Sequence, residues 1–179
     1  MKHIILIGFK HTGKTAIGGM LAEHLDLPHL DLDDLIEASH TAKKQEQLNC
    51  RQIVLQHGID HFRNLEKEVL QEVLHNDKLH VLSVGGGTPL DEGNRNLLSE
   101  HRVVHVVAPR GIVFERIMIN GKPAFFPDNG TDFEAFSDVW DERVPIFESI
   151  AHNTVENDGS IVSAVEKIIS SFRMNPLEL

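Results

Sequence analysis

Residues 8–15 read Gly-Phe-Lys-His-Thr-Gly-Lys-Thr, and no other stretch limits the fold of this chain as tightly. They fit G-x-x-x-x-G-K-[ST], a loop that leads from a strand into a helix and cradles phosphate. Ile4-Ile5-Leu6-Ile7 comes before it, a short β-branched run suited to a buried strand. Ile17, Met20, Leu21, His24 and Leu25 follow at helical spacing. Gly8 and Gly13 let the backbone turn its N–H groups toward phosphate oxygens. Lys14 can reach the terminal phosphates, and Thr15 can place its hydroxyl on Mg²⁺. Thr12 and Ala16 belong to the same nucleotide-binding set, and the helix N-terminus favours an anion. The loop indicates a nucleoside triphosphate and leaves the phosphate acceptor open.

Composition narrows the class. A chain of 179 residues is long enough for one domain with a real core. The formal charge of −10 argues against a nucleic-acid or membrane-surface binder. A site for an anionic substrate must therefore gather its Arg and Lys locally. Cys50 is the single cysteine, so neither an intramolecular disulfide nor a cysteine metal site is available. No apolar run approaches the ~18 residues of a membrane span. Ile4–Ile7 is too short for a signal-peptide core, so a cytoplasmic enzyme is the expectation. Twelve histidines are scattered without an HExxH or paired metal spacing and read as solvated or partly buried. His11 stands apart because it lies inside the phosphate loop.

The pattern predicts five short strands alternating with helices. The strands are about His3–Gly8, His29–Asp33, His80–Val84, Arg102–Ala108 and Thr154–Glu156. The clearest helices are about Lys14–Leu25, Asp60–His75 and Arg110–Ile119, with a shorter one at Asn94–Glu100. Two short helices are expected within residues 34–60. Asp132 is expected to cap a helix that Pro145 kinks or restarts, and Ser160 to cap the last one. Asn120–Thr131 has the composition of a mobile loop. The sum is a three-layer α/β domain with a parallel sheet. Ligands in such sheets sit at the carboxyl ends of the strands, where Gly8, Asp33 and Gly85 are placed.

Phosphoryl transfer needs a cradle, a metal ion, an acceptor held in line and a carboxylate near its hydroxyl. Asp31 and Asp33, two apart on a strand, point the same way. One can serve the metal and the other the acceptor; a helix N-cap at Asp33 or Asp34 is the competing reading. Gly85-Gly86-Gly87 offers bare backbone donors or a flexible turn. Arg63 and Arg143 suit a carboxylate clamp or surface ion pairs.

Together these residues resemble shikimate kinase, over about Lys2 to Ser171. The matching segments are GFKHTGKT at 8–15, LDLDDLIE at 30–37, HFRNLEKEVL at 61–70, VLSVGGG at 81–87 and ERVPIFE at 142–148. Glu92, Asn94, Arg95, Asn96, Leu97 and Leu98 match in part, with Gly93 intervening. The resemblance implies a five-stranded sheet of order 2-3-1-4-5 and ATP-dependent phosphorylation of shikimate by a monomer. It implies that Lys14 stabilises the transferring phosphate. Thr15 would ligate Mg²⁺, with Asp31 and Ser83 behind water. Asp33 would hold the acceptor hydroxyls and act as base, and Arg63 and Arg143 would clamp the carboxylate. Gly85, Gly86 and Gly87 would line the substrate. The helices at 34–60 would form the acceptor subdomain, and residues 120–131 a lid.

The chain departs from the family pattern in three places. The lid reads Lys122-Pro123 where Arg-Pro is usual, and lysine lacks the two-pronged guanidinium geometry. Lys122 is nevertheless counted with Lys14 and Asp33 among the catalytic residues. Lys10 and His11 replace small or apolar loop residues, and residues 38–56 lack the usual Gly-x-x-Ile. These departures keep two alternatives open: a kinase of another small hydroxy acid such as gluconate, and a catalytically weak binding protein.

Overall fold

The computed structural model describes residues 2–121 and 131–172. Strands β1 (Ile4–Ile7), β2 (His29–Asp31), β3 (Val81–Ser83), β4 (Arg102–Val107) and β5 (Asn153–Glu156) form one sheet. Its order is β2-β3-β1-β4-β5 and every pairing is parallel. The helices are α1 (Lys14–Leu25), α2 (Leu32–Lys44), α3 (Cys50–His57), α4 (Ile59–Leu74), α5 (Glu92–Ser99), α6 (Arg110–Ile119), α7 (Asp132–Ile150) and α8 (Ile161–Phe172).

The central strand shows why its sequence is apolar throughout. Ile4 and Leu6 face one layer, with Ile17 and Leu21 of α1 and Val165 and Ile168 of α8. Ile5 and Ile7 face the other, with Leu65 and Val69 of α4 and Phe136 and Phe147 of α7. A strand covered on both faces has no solvent side to make polar, so the alternation vanishes from the sequence.

Local chemistry moves several expected boundaries. β2 ends at Asp31 rather than Asp33, because the Asp31 carboxylate accepts the Asp33 N–H at 3.1 Å and starts α2. Asp31 is thus the N-cap, not Asp33 or Asp34, and Asp33 lies in the first helical turn. The two carboxylates are not strand neighbours. Residues 34–60 do contain two helices, but α2 starts earlier and is longer than expected. Thr131, not Asp132, caps α7 through a reciprocal box with Glu134. Pro145 does not restart that helix, which runs unbroken from Asp132 to Ile150; buried Phe136, Val139 and Phe147 hold it on both sides of the proline. Ser160 caps α8 as expected, its hydroxyl accepting the Ser163 N–H at 3.2 Å.

The histidines are not dispersed. His3, His80 and His101 are buried where β1, β3 and β4 begin. The His3 ring stacks on His80 at 3.8 Å and lies 4.8 Å from His101. His105 is buried in β4 against Phe147. Burial lowers all four below the ordinary histidine value, His101 and His105 to about 4. Above pH 6.5 these rings are neutral in folded and unfolded chains alike. Below it the unfolded chain takes up protons that the folded one refuses, so stability falls as pH drops from 6.5 toward 4. His101 and His105 each contribute a slope of at most about 1.4 kcal/mol per pH unit between about 4 and 6.5. Urea unfolding at pH 7.5, 6 and 5 is expected to show this loss, with a shallower slope in His105→Leu. Equal stability at all three pH values would rule the account out.

Candidate active site

The phosphate loop is tied down from three sides. Thr12 is buried and donates its hydroxyl to the Phe9 carbonyl at 2.9 Å. Asn157, just beyond β5, donates its amide to the Thr12 carbonyl at 2.9 Å. Arg116 of α6 donates to the His11 carbonyl at 3.0 Å. Gly13 takes a φ of 97°, and a Cβ there would sit 2.3 Å from the Asn157 amide nitrogen. Only glycine fits that close approach.

The Lys14 ammonium donates to the Gly8 and Phe9 carbonyls at 3.0 and 2.7 Å, folded back over its own loop. Burial pushes it down to about 8, against the attraction of Asp33 and Asp31. Burial first, and then Lys10, Lys14 and Arg116, lower His11, which keeps its ring neutral at physiological pH. Of the two unusual loop residues, only exposed Lys10 adds charge.

Asp31 works in two directions. One carboxylate oxygen caps α2, and the other accepts the Thr15 hydroxyl at 3.0 Å. Ligand atoms on adjacent corners of a Mg²⁺ octahedron stand about 3.0 Å apart, so this oxygen pair fits that ion. Ser83 lies behind it, its hydroxyl 3.0 Å from His29 Nε2.

Asp33 opens toward the Gly85 turn, where a Cβ on Gly85 would lie 3.2 Å from its Oδ1. Its carboxyl is raised to about 6, chiefly by desolvation between the cleft walls and next by Asp31. Lys14 opposes the shift and Glu66 reinforces it. At Gly87 a Cβ would stand 2.5 Å from the Arg63 guanidinium, so any side chain there would displace it. Arg63 is held by an ion pair to buried Glu66 at 2.7 Å, and the Thr88 hydroxyl donates to the second Glu66 oxygen at 2.8 Å. Asn94 completes the chain by donating to the Thr88 carbonyl. Arg143 reaches in from α7, its guanidinium 5.9 Å from the Phe9 ring centre, while Phe9 stacks on Trp140.

A cleft of about 960 Å³ joins these groups, from Lys14 and Thr15 past Asp33 and Gly85–Gly87 to Arg63 and Arg143. Gly8 and Thr12 shape the loop from behind without lining the cleft. Lys122 lies outside the described residues, as do positions 122–130 of the expected lid. The flanking Asn120 and Gly121 border the cleft. Three charged cleft residues, Glu66, Arg51 and Arg116, were missed in the sequence. Glu66 is a charge inside the apolar stripe of α4, one turn after Phe62, and that misfit was a usable signal. Arg51 and Arg116 carried none, since an arginine on an amphipathic helix is ordinary.

A phosphate cradle facing two guanidiniums across a carboxylate points to a kinase of an acidic alcohol, and comparison with known proteins agrees. The shikimate kinase family model matches residues 11–173. The shikimate kinase of Francisella tularensis subsp. holarctica is 35% identical over 173 residues, covering 96% of this chain and 94% of that one. This chain belongs to the shikimate kinase family. The structure of the Acinetobacter baumannii shikimate kinase in complex with shikimate superimposes with a TM-score of 0.83 at 28% identity, covering 97% and 93% of the two chains. A bifunctional shikimate kinase/3-dehydroquinate synthase of Thermotoga maritima is 31% identical over 140 residues; these span 78% of this chain and 26% of that longer protein. Shikimate kinases transfer phosphate to a hydroxyl of shikimate, and the family implies ATP as donor.

The Lys14 environment generates a measurable expectation. A triphosphate that replaces the carbonyl contacts raises the lysine above its resting value of about 8. Binding is then coupled to proton uptake at pH 8–9 and less so at pH 7. Calorimetry of ATP binding at pH 8.5 in buffers of different ionisation enthalpy is expected to show a buffer-dependent heat. A heat independent of buffer would remove the assignment.

Proposed function

We propose that this protein transfers the γ-phosphate of ATP to a hydroxyl of shikimate, in one domain whose α2 and α3 form the acceptor side. The observation that supports the reading is that Lys14, Asp33, Arg63 and Arg143 line one cleft, with Asp33 against Gly85 and Arg63 against Gly87. Arg143 is lowered mainly by burial, with Glu142 opposing the shift and the charge of Arg63 adding to it, so the two cations feel each other. Like charges held together in an acidic protein mark a place for an anion, and a guanidinium pair suits a carboxylate.

The acceptor carboxylate rests on Arg63 and Arg143, with the Gly85–Gly87 backbone beside its ring. Its reacting hydroxyl then meets Asp33. With a carboxyl near 6, Asp33 is ionised at neutral pH and accepts the hydroxyl proton as the oxygen attacks. Lys14 leaves the loop carbonyls for the β- and γ-phosphate oxygens and balances the charge spreading over them. The loop N–H groups and the start of α1 hold the triphosphate in line. Thr15 and Asp31 would hold Mg²⁺, which neutralises phosphate charge when bound. Lys122 would supply a further lid cation at the transferring group.

A coupled ADP assay over shikimate, quinate, gluconate and nucleoside monophosphates tests the acceptor. Turnover is expected with shikimate; preference for gluconate would overturn the reading, as would shikimate binding without ADP release. Arg63→Ala removes a charge-assisted contact of about 1.5–3 kcal/mol. The KM for shikimate should therefore rise roughly tenfold to a hundredfold while that for ATP changes little; an equal rise in both would contradict the clamp. The kcat/KM for shikimate should fall below pH about 6 as Asp33 takes up a proton. A profile flat down to pH 5 would exclude Asp33 as base.

A further inference from the structure

His40, His57 and His61 come from three helices and meet at one place. His40 lies on α2, His57 in the last turn of α3, and His61 in the first turn of α4, just past the Gly58 corner. Their ring centres are 4.9 Å (40–57), 5.2 Å (57–61) and 5.8 Å (40–61) apart. Glu46, in the turn after α2, reaches into the group. One of its oxygens lies 2.7 Å from His57 Nε2 and 3.4 Å from His40 Nε2. The ligating atoms of His40, Glu46 and His57 all lie within 4.8 Å of one another. His61 Nε2 is buried and has no hydrogen-bond partner among the described residues.

We propose that His40, Glu46 and His57, with His61 beside them and water completing the coordination, bind a zinc-class divalent cation that clamps the turn after α2 to the α3–α4 corner. The donor set decides the class. Imidazole nitrogens with one carboxylate suit zinc and its neighbours, whereas Mg²⁺ and Ca²⁺ select oxygen ligands. Distances agree. Around a tetrahedral ion with bonds of about 2.0–2.1 Å, neighbouring ligand atoms stand about 3.3 Å apart. The His40–Glu46 spacing is already there, and His57 needs to withdraw by about half an ångström.

Lys43 and Lys44 lie near the group, and Lys43 is paired with Glu68 at 2.6 Å. None of His40, Glu46, His57 and His61 lines the cleft. The helices they join do, through Asp33 on α2, Arg51 on α3 and Arg63 on α4. A bound ion would fix these helices relative to one another without entering the reaction.

The test uses the full chain, free of any histidine tag and stripped with a chelator, and needs no turnover, so it stands apart from the assay of function. Zn²⁺ is titrated by calorimetry and Co²⁺ by its visible spectrum. One equivalent is expected to bind, with a tetrahedral cobalt spectrum and a raised melting temperature. Glu46→Gln and His57→Gln, both partly exposed positions, should each weaken binding at least about tenfold. Exposed His24→Gln should leave it unchanged. Absence of saturable binding at micromolar zinc would reduce the cluster to a proton-sharing network and overturn the proposal. Binding that persists unchanged in both variants would place the ion elsewhere and overturn it equally.

Discussion

The Asp31 carboxylate is the junction on which the site depends. One oxygen ends β2 by capping α2, and the other accepts the Thr15 hydroxyl at the mouth of the phosphate loop. The cap puts Asp33 in the first turn of a helix, and that turn directs its carboxyl at the Gly85 loop instead of along the sheet. A single side chain thus links the phosphate loop to the position of Asp33. An uncapped α2 would leave its first N–H groups unsatisfied and Asp33 without a fixed direction.

On the far side of the cleft the same logic runs through a buried charge. Glu66 is acceptable inside the apolar face of α4 because Arg63 and Thr88 take both of its oxygens. Burying an unpaired carboxylate costs far more than an exposed pair returns. The arrangement is justified by what it positions: a guanidinium that has few rotamers left, pressed against a glycine backbone. Rigidity of this kind would reduce the entropy lost if an anion bound there.

The phosphate loop and the five alternating strands were legible because each is a local pattern. Gly8, Gly13, Lys14 and Thr15 sit within eight residues, and β-branched runs such as Ile4–Ile7 and Val103–Val107 announce buried strands at short range. The Asp31–Asp33 relation was misread because a period of two looks the same whether a strand continues or a capped helix begins. Arg116 and Arg51 went unseen because cleft exposure is a property of the folded surface. The histidines were misread for a related reason. His57 and His61 are four apart, but Gly58 breaks the helix between them, and His40 and Glu46 arrive from other elements.

By itself the sequence determined a parallel α/β domain with a phosphate-binding loop, since hydrophobic period and loop chemistry are written in neighbouring residues. It also carried the family likeness, through segments whose order is itself linear information. Only the tertiary structure decided which carboxylate caps and which faces the cleft, that Glu66 anchors Arg63, and that three histidines and Glu46 come together as neighbours. Each of these depends on which surfaces meet when α2, α3 and α4 pack, and that is settled by burial and shape over the whole core, where no short window of residues can register it.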